Sequence, residues 1–139
     1  MTPTSLNTNE VKNAAGSEVE FHQVSVGPGR TVTWAKIGEL PNAEHRLKIS
    51  HLELGSGTEQ RRRSQVRLDL TVPGYTSGQP RVCSFYCVAD IPIGDLNDYS
   101  TAKDACAELM SFLASKGLNT TILYDCTGYG ADALVNGTL

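Results

Sequence analysis

Three segments of this chain carry, at every second position, side chains able to bind a polyanion or a base. Arg46, Lys48 and Ser50 alternate in the first; Gln65, Arg67 and Asp69 in the second; Ser84 and Tyr86 in the third. Arg61-Arg62-Arg63 is expected in the turn leading into the second segment, and Arg63 counts with the same set. Arginine and lysine hold phosphate oxygens, tyrosine stacks on an unpaired base, and serine and glutamine reach base edges or riboses. On one face, these residue types make a platform for single-stranded or hairpin RNA. Asp69 and Asp90 share the phase and work against that reading, because a carboxylate repels phosphate. A plainer account is also open: any sheet with one solvated face places polar residues at alternate positions. Composition does not choose between the two.

No enzyme chemistry stands out. His22, His45 and His51 have no second ligand at helical i, i+4 spacing, so no metal site is expected. The glycine-containing segments match neither a phosphate-binding loop nor a dinucleotide fingerprint, and no Gly-x-Ser-x-Gly nucleophile motif occurs. The expectation is a protein that is not an enzyme and needs no cofactor. Cys83, Cys87, Cys106 and Cys126 form no Cys-x-x-Cys pair. They read as small, buried apolar side chains with free thiols, with a disulfide or a metal site as the lesser alternative, and Cys83 is placed on the buried face.

The net charge of −3 is low for a dedicated nucleic-acid binder. The distribution matters more than the sum, since a basic patch on one face suffices. The first twenty residues lack a basic start and an apolar block, so no secretory signal is expected. No apolar run reaches the length of a membrane span. At 139 residues the chain is expected to be a single domain, residues 1–139.

The elements that must position these residues form a β-rich front and a helical back. Residues 4–12 and 18–26 predict a hairpin about Asn13-Ala14-Ala15-Gly16-Ser17. Within its second strand Val19 and Phe21 share one face and Val24 and Val26 the other; a β-bulge near His22 would reconcile them. Strands are predicted over 30–37, with Val32 and Trp34 on one face, and over 45–54, with Leu47 and Ile49 inward. A turn at 55–59 leads to the clearest period of two, Val66, Leu68, Leu70 and Val72 against Gln65, Arg67, Asp69 and Thr71. The Gly/Pro-rich loop 73–80 precedes a strand over 81–91. From about residue 98, Tyr99, Ala102, Cys106, Leu109 and Leu113 follow a helical period, with Asp98 or Ser100 as N-cap and Gly117 as stop. A second helix is predicted over 119–127, and an irregular tail over 128–139.

One copy looks incomplete. Five strands at ~4.8 Å spacing span roughly 20–25 Å, whereas a helix with its side chains covers ~10 Å. The apolar row of Trp34, Leu47, Ile49, Leu68, Leu70, Phe85 and Ile91 therefore exceeds what one long and one short helix can shield. A second copy donating its helices would complete the layer, so an obligate dimer is expected unless the N-terminal hairpin folds over the sheet.

The order and spacing of TVTWAKIG, HRLKISH, QVRLDLTVP, VADIPI, STAKDACAELMSFLASKG and LNTTILYDC resemble the coat proteins of single-stranded RNA bacteriophages, the leviviruses, over nearly the whole chain. The resemblance implies an α+β fold: an N-terminal hairpin and five-stranded antiparallel sheet followed by two C-terminal helices, completed by an intertwined dimer. It implies dimers that assemble in the bacterial cytoplasm into an icosahedral virion shell, with the sheet facing inward and loop 73–80 near the symmetry axes. It also implies that the inner face binds a genomic RNA hairpin, represses replicase translation and marks the RNA for packaging. Carried over, it places Lys48, Ser50, Gln65, Arg67, Asp69, Ser84 and Tyr86 at RNA-contacting positions. Asp69 stands where a basic residue would favour phosphate, and Ser84 where some members have an aromatic. Two rivals are a dimeric RNA-binding regulator without a capsid role and an unrelated α+β enzyme or ligand-binding domain.

Overall fold

The computed structural model describes residues 2–117 and 122–137. It divides into two compact units: residues 1–11 with 19–96, and residues 12–18 with 97–139.

The first unit is an antiparallel meander. Its strands are β1 (Ser5–Leu6), β2 (Phe21–Gly27), β3 (Thr31–Lys36), β4 (His45–Leu54), β5 (Arg61–Pro73) and β6 (Pro80–Ile91), hydrogen-bonded in chain order. The predicted strands over 30–37, 45–54 and 81–91 are found almost residue for residue, because each has alternating character and a glycine or proline at its borders. The predicted N-terminal hairpin is shorter in ladder. Ser5 and Leu6 pair with His22 and Phe21, a Val19 N–H to Val11 carbonyl bond of 2.9 Å continues the pairing, and Lys12 bridges to Glu18 beside the predicted turn.

The bulge expected near His22 lies at Val24. Gln23 pairs with Trp34 and Ser25 with Thr33, leaving Val24 without a partner. This extra residue resets the phase, so Phe21 and Val26 share the face of Trp34 and Val32.

One sequence expectation fails at β5. Arg61, Arg62 and Arg63 are not in the turn. They are ladder residues opposite Leu54, Glu53 and Leu52, and Arg62 and Arg63 also pair with Ile91 and Asp90. The turn is tighter than expected, a 3-10 turn at Gly57–Glu59. A run of like charges is tolerated in a strand because alternate residues point to opposite faces.

The apolar face carries the rows Val32, Ile49, Val66, Cys87 and Trp34, Leu47, Leu68, Phe85. Its β2–β3 end is closed. Phe21 and Trp34 are fully buried, the Trp34 indole Nε1 donates to the Pro3 carbonyl at 3.0 Å, and Phe21 meets the His45 ring edge-on at 5.3 Å. The N-terminal segment thus shields part of the row, the exception foreseen from the sequence. The β5–β6 end stays open, with Val66, Leu70 and Phe85 exposed. The expected burial of the cysteines does not hold: Cys83, on the open end of the sheet, is exposed and Cys87 is half-buried, and Cys106 and Cys126 of the second unit are exposed, all with free thiols.

The second unit holds helix α1 (Ser100–Ala114) and helix α2 (Tyr129–Asn136), together with the turn at 13–17. Asn13 builds that turn by accepting from the Ala15 and Ser17 N–H groups through its side-chain oxygen, at 3.0 Å each. The carboxylate of Asp98 accepts from the Ser100 N–H at 2.8 Å at the start of α1. The second helix is displaced from its expected place. Part of the predicted span, 119–121, lies outside the described residues. Ile122 bridges to Ser115, and Asp125 accepts from the Thr127 N–H and hydroxyl. That local side-chain bonding competes with helix formation. The helix forms instead in the tail expected to be irregular, between Gly128 and the left-handed Gly137 at its C-cap. Gly130 lets α2 approach α1, since a Cβ there would collide with the backbone of Phe112 and Leu113. Leu109 and Phe112 of α1, and Leu134 and Val135 of α2, remain exposed. No described helix is long and apolar enough to cross a membrane.

Candidate nucleic-acid interface

Register brings the residues singled out in the sequence onto one face of the sheet. Thr33, Lys48, Arg67 and Tyr86 lie in one cross-strand row. On one side of it run Ala35, Arg46, Asp69 and Ser84; on the other, Ser50, Gln65 and Val88, followed by Leu52, Arg63 and Asp90. All nine candidates, Arg46, Lys48, Ser50, Arg63, Gln65, Arg67, Asp69, Ser84 and Tyr86, therefore share the face opposite Trp34 and Phe85. The physical cause is the unbroken period of two in β4, β5 and β6.

Sequence reasoning missed Arg61, Leu52 and Leu54, which extend this face toward the 3-10 turn. Leu52 and Leu54 continue the parity of Ser50, a signal obscured because an apolar side chain stands where a polar one was expected. Leu54, Gly55, Glu59, Arg61, Arg63 and Asp90 line a shallow recess at that end.

The electrostatics are not those of an open basic patch. At the centre, Arg67 Nε donates to both oxygens of Asp69 at 2.9 Å, Arg67 Nη2 donates to Ser84 Oγ at 3.2 Å, and Ser84 Oγ donates to Asp69 Oδ1 at 2.5 Å. Partial burial pushes the Asp69 carboxyl up. The bonds from Ser84 and Arg67, and the charges of Arg67 and Lys48, outweigh it and hold the group below its ordinary value.

Similar pairs flank this centre. Arg46 is held by Glu39, with Nη2 to Oε1 at 2.5 Å, and Glu39 also accepts the His45 N–H at 2.9 Å. Burial raises the Glu39 carboxyl, but the bonds from His45 and Arg46 and the charges of Arg46 and His22 lower it overall. Toward the 3-10 turn, Arg61 Nε and Arg63 Nη2 share Asp90 at 2.8 and 3.1 Å, and their hydrogen bonds hold its carboxyl down. Lys48 is exposed and its side chain makes no hydrogen bond or ion pair among the described residues, although its charge bears on Asp69. Tyr86, beside Arg67 in register, is 63% exposed, enough ring surface for a base to stack on.

The histidines lie apart from this centre. His45 and His51 belong to the opposite face, where His51 Nδ1 and Ser64 Oγ are 2.8 Å apart. His22 lies on the polar face opposite Ala35.

Comparison with solved structures gives the fold a precedent. The chain matches the bacteriophage EMS014 coat protein with a TM-score of 0.67 at 10% identity, over 87% of each chain. It has the fold of a bacteriophage coat protein. The virus-like particle of Beihai levi-like virus 21 matches over 97% of this chain and 93% of its own, with a TM-score of 0.60 and 11% identity. That of Beihai levi-like virus 32 matches over 87% and 88%, with a TM-score of 0.60 and 13% identity. The α+β fold implied by the sequence resemblance is therefore the fold found. By sequence, no protein-family model and no curated protein matches the chain.

Proposed function

We propose that this chain is the coat protein of a single-stranded RNA bacteriophage. In this reading the 139 residues act as one coat-protein domain. Two copies form an intertwined dimer, and the dimers close into an icosahedral shell in the bacterial cytoplasm. The polar face turns inward and binds a genomic RNA hairpin for packaging and for repression of replicase translation. Arg46, Lys48, Ser50, Arg63, Gln65, Arg67, Asp69, Ser84 and Tyr86 form the RNA-facing surface. Tyr86 supplies stacking, Ser50, Gln65 and Ser84 supply polar contacts, and Lys48 and Arg63 supply charge.

The observation that carries the reading is the coincidence of this fold with an unfinished β6. Strand β6 is twelve residues long and has a ladder partner on one side only among the described residues. It carries no bulge or break, and the apolar residues beside it are exposed. Soluble proteins do not leave such an edge bare. Pairing β6 with its copy gives every strand in the middle of the doubled sheet two neighbours. The exposed faces of α1 and α2 supply apolar cover of the kind the open end of the sheet lacks.

The test is expression of the chain alone in bacteria, with negative-stain microscopy and the ratio of nucleic-acid to protein absorbance on the same fraction. Uniform shells with nucleic-acid absorbance are expected. A small particle-free species under conditions that permit assembly would overturn the shell reading. If that species still bound RNA, it would favour the dimeric regulator.

A further inference from the structure

We infer that Asp69 is a charge brake on the RNA-facing surface: it closes Arg67 into a clasp with Ser84, so that phosphates are gripped at Lys48 and at the Arg61–Arg63 end and not at Arg67. The inference rests on the reading of this face as the RNA surface and deepens it, because it says which cations carry the electrostatic part of binding.

Each arginine of the face has a carboxylate against it. Arg46 faces Glu39, and Arg67 faces Asp69. Arg61 and Arg63 share the single carboxylate of Asp90, and Glu59, which lines the same recess, makes no ion pair with either among the described residues, so these two arginines are less tightly neutralised than Arg67. Lys48 is the remaining cation, exposed and without an ion pair among the described residues.

A guanidinium whose Nε–H is committed to both oxygens of a carboxylate presents little net charge to a phosphate. The clasp is also closed by a third member. Ser84 receives from Arg67 and donates to Asp69, so rotating Arg67 toward a ligand gives up its Nε bonds to both Asp69 oxygens and its Nη2 bond to Ser84, while the Ser84–Asp69 bond remains. Arg67 thus serves to hold a neutral, rigid patch beside the exposed ring of Tyr86, a surface suited to bases. The phosphate track runs past it on Lys48 and the less tightly neutralised arginines.

The test is salt-dependent binding of a labelled oligouridylate to dimer, comparing wild type with Asp69→Asn, Lys48→Ala and Arg67→Ala. Each phosphate contact contributes a slope of about 0.7 in log affinity against log salt for a single strand. Asp69→Asn keeps the shape of the side chain and removes its charge, so it should steepen the slope by about 0.7 and tighten binding about two- to fivefold at low salt. Lys48→Ala should flatten the slope by the same amount, about 0.7. Arg67→Ala should lower affinity, because the freed Asp69 carboxylate repels phosphate, but should leave the slope near that of wild type, because Arg67 holds no phosphate there. An Asp69→Asn protein with unchanged slope and affinity would overturn the inference, as would an Arg67→Ala protein whose slope falls like that of Lys48→Ala. Absence of binding by wild type and Asp69→Asn alike would overturn the RNA reading of the face and the brake with it. A protein that forms no shells yet follows the expected slopes loses the coat-protein reading and keeps the brake.

Discussion

Truncating Phe85 should weaken the proposed dimer about a thousandfold while leaving each copy folded. Phe85 sits on the apolar face of β6, opposite Leu68, and 46% of it is exposed in the single chain. A phenylalanine carries roughly 200 Å² of surface, so about 90 Å² per copy is available to be covered by a partner. At ~25 cal/mol per Å² that is about 2 kcal/mol per copy. A symmetric dimer contains the residue twice, so Phe85→Ala should cost about 4 kcal/mol of association, close to a thousandfold in dissociation constant. The part of Phe85 that is already covered, about 110 Å², sets a loss of about 3 kcal/mol in the fold of the protomer itself. Sedimentation equilibrium over a dilution series measures the first quantity, and far-ultraviolet circular dichroism checks the second. A dissociation constant unchanged from wild type would refute the claim that this face meets a second copy.

Three further outcomes follow from particular residues. Deleting Val24 removes the unpaired bulge residue and leaves Phe21 and Val26 in phase, so the protein should still fold; deleting Thr33 flips Val32 out of phase with Trp34 and should abolish folding, which thermal denaturation will distinguish. Glu39→Gln should cost about 1–2 kcal/mol near neutral pH by weakening the bonds to Arg46 and the His45 N–H. Because the folded state holds the Glu39 carboxyl below its ordinary value of 4.5, its stabilisation is complete above that value and is lost as pH falls through the depressed one. Urea titrations at neutral and acid pH should therefore show wild type and variant converging on acidification. Cys83 and Cys87 lie on the apolar face of β6, so thiol alkylation should be slow in the assembled protein and fast in the Phe85→Ala protomer; equal rates would argue against burial of this face.

Much of the sheet is local information. Alternation in β4, β5 and β6 sets which side chains share a face, and glycine and proline set where strands stop. Both are properties of neighbouring residues, so the sequence alone gathers Lys48, Gln65, Arg67 and Tyr86 on one surface. The same holds for the first helix, whose spacing is a property of fifteen successive residues. The second helix was legible only in part. The helical run of Tyr129–Asn136 lies between glycines, but the segment before it has comparable composition, and side-chain bonds from Asp125 decide against helix there.

The tertiary structure alone decided the electrostatics of the face. Asp69 reads from the sequence as a liability among basic residues. Its meaning depends on Arg67 two positions away and on Ser84 across the ladder, which come within hydrogen-bonding distance through the pairing of β5 with β6. The Glu39–Arg46 pair likewise needs the turn before β4, and the sharing of Asp90 by Arg61 and Arg63 needs the extension of β5 into what looked like a turn. Sequence periodicity fixes the face to which a side chain belongs, because that depends only on the pleat. Whether its charge is free or neutralised depends on distances of about 3 Å between strands, and only the folded register supplies those.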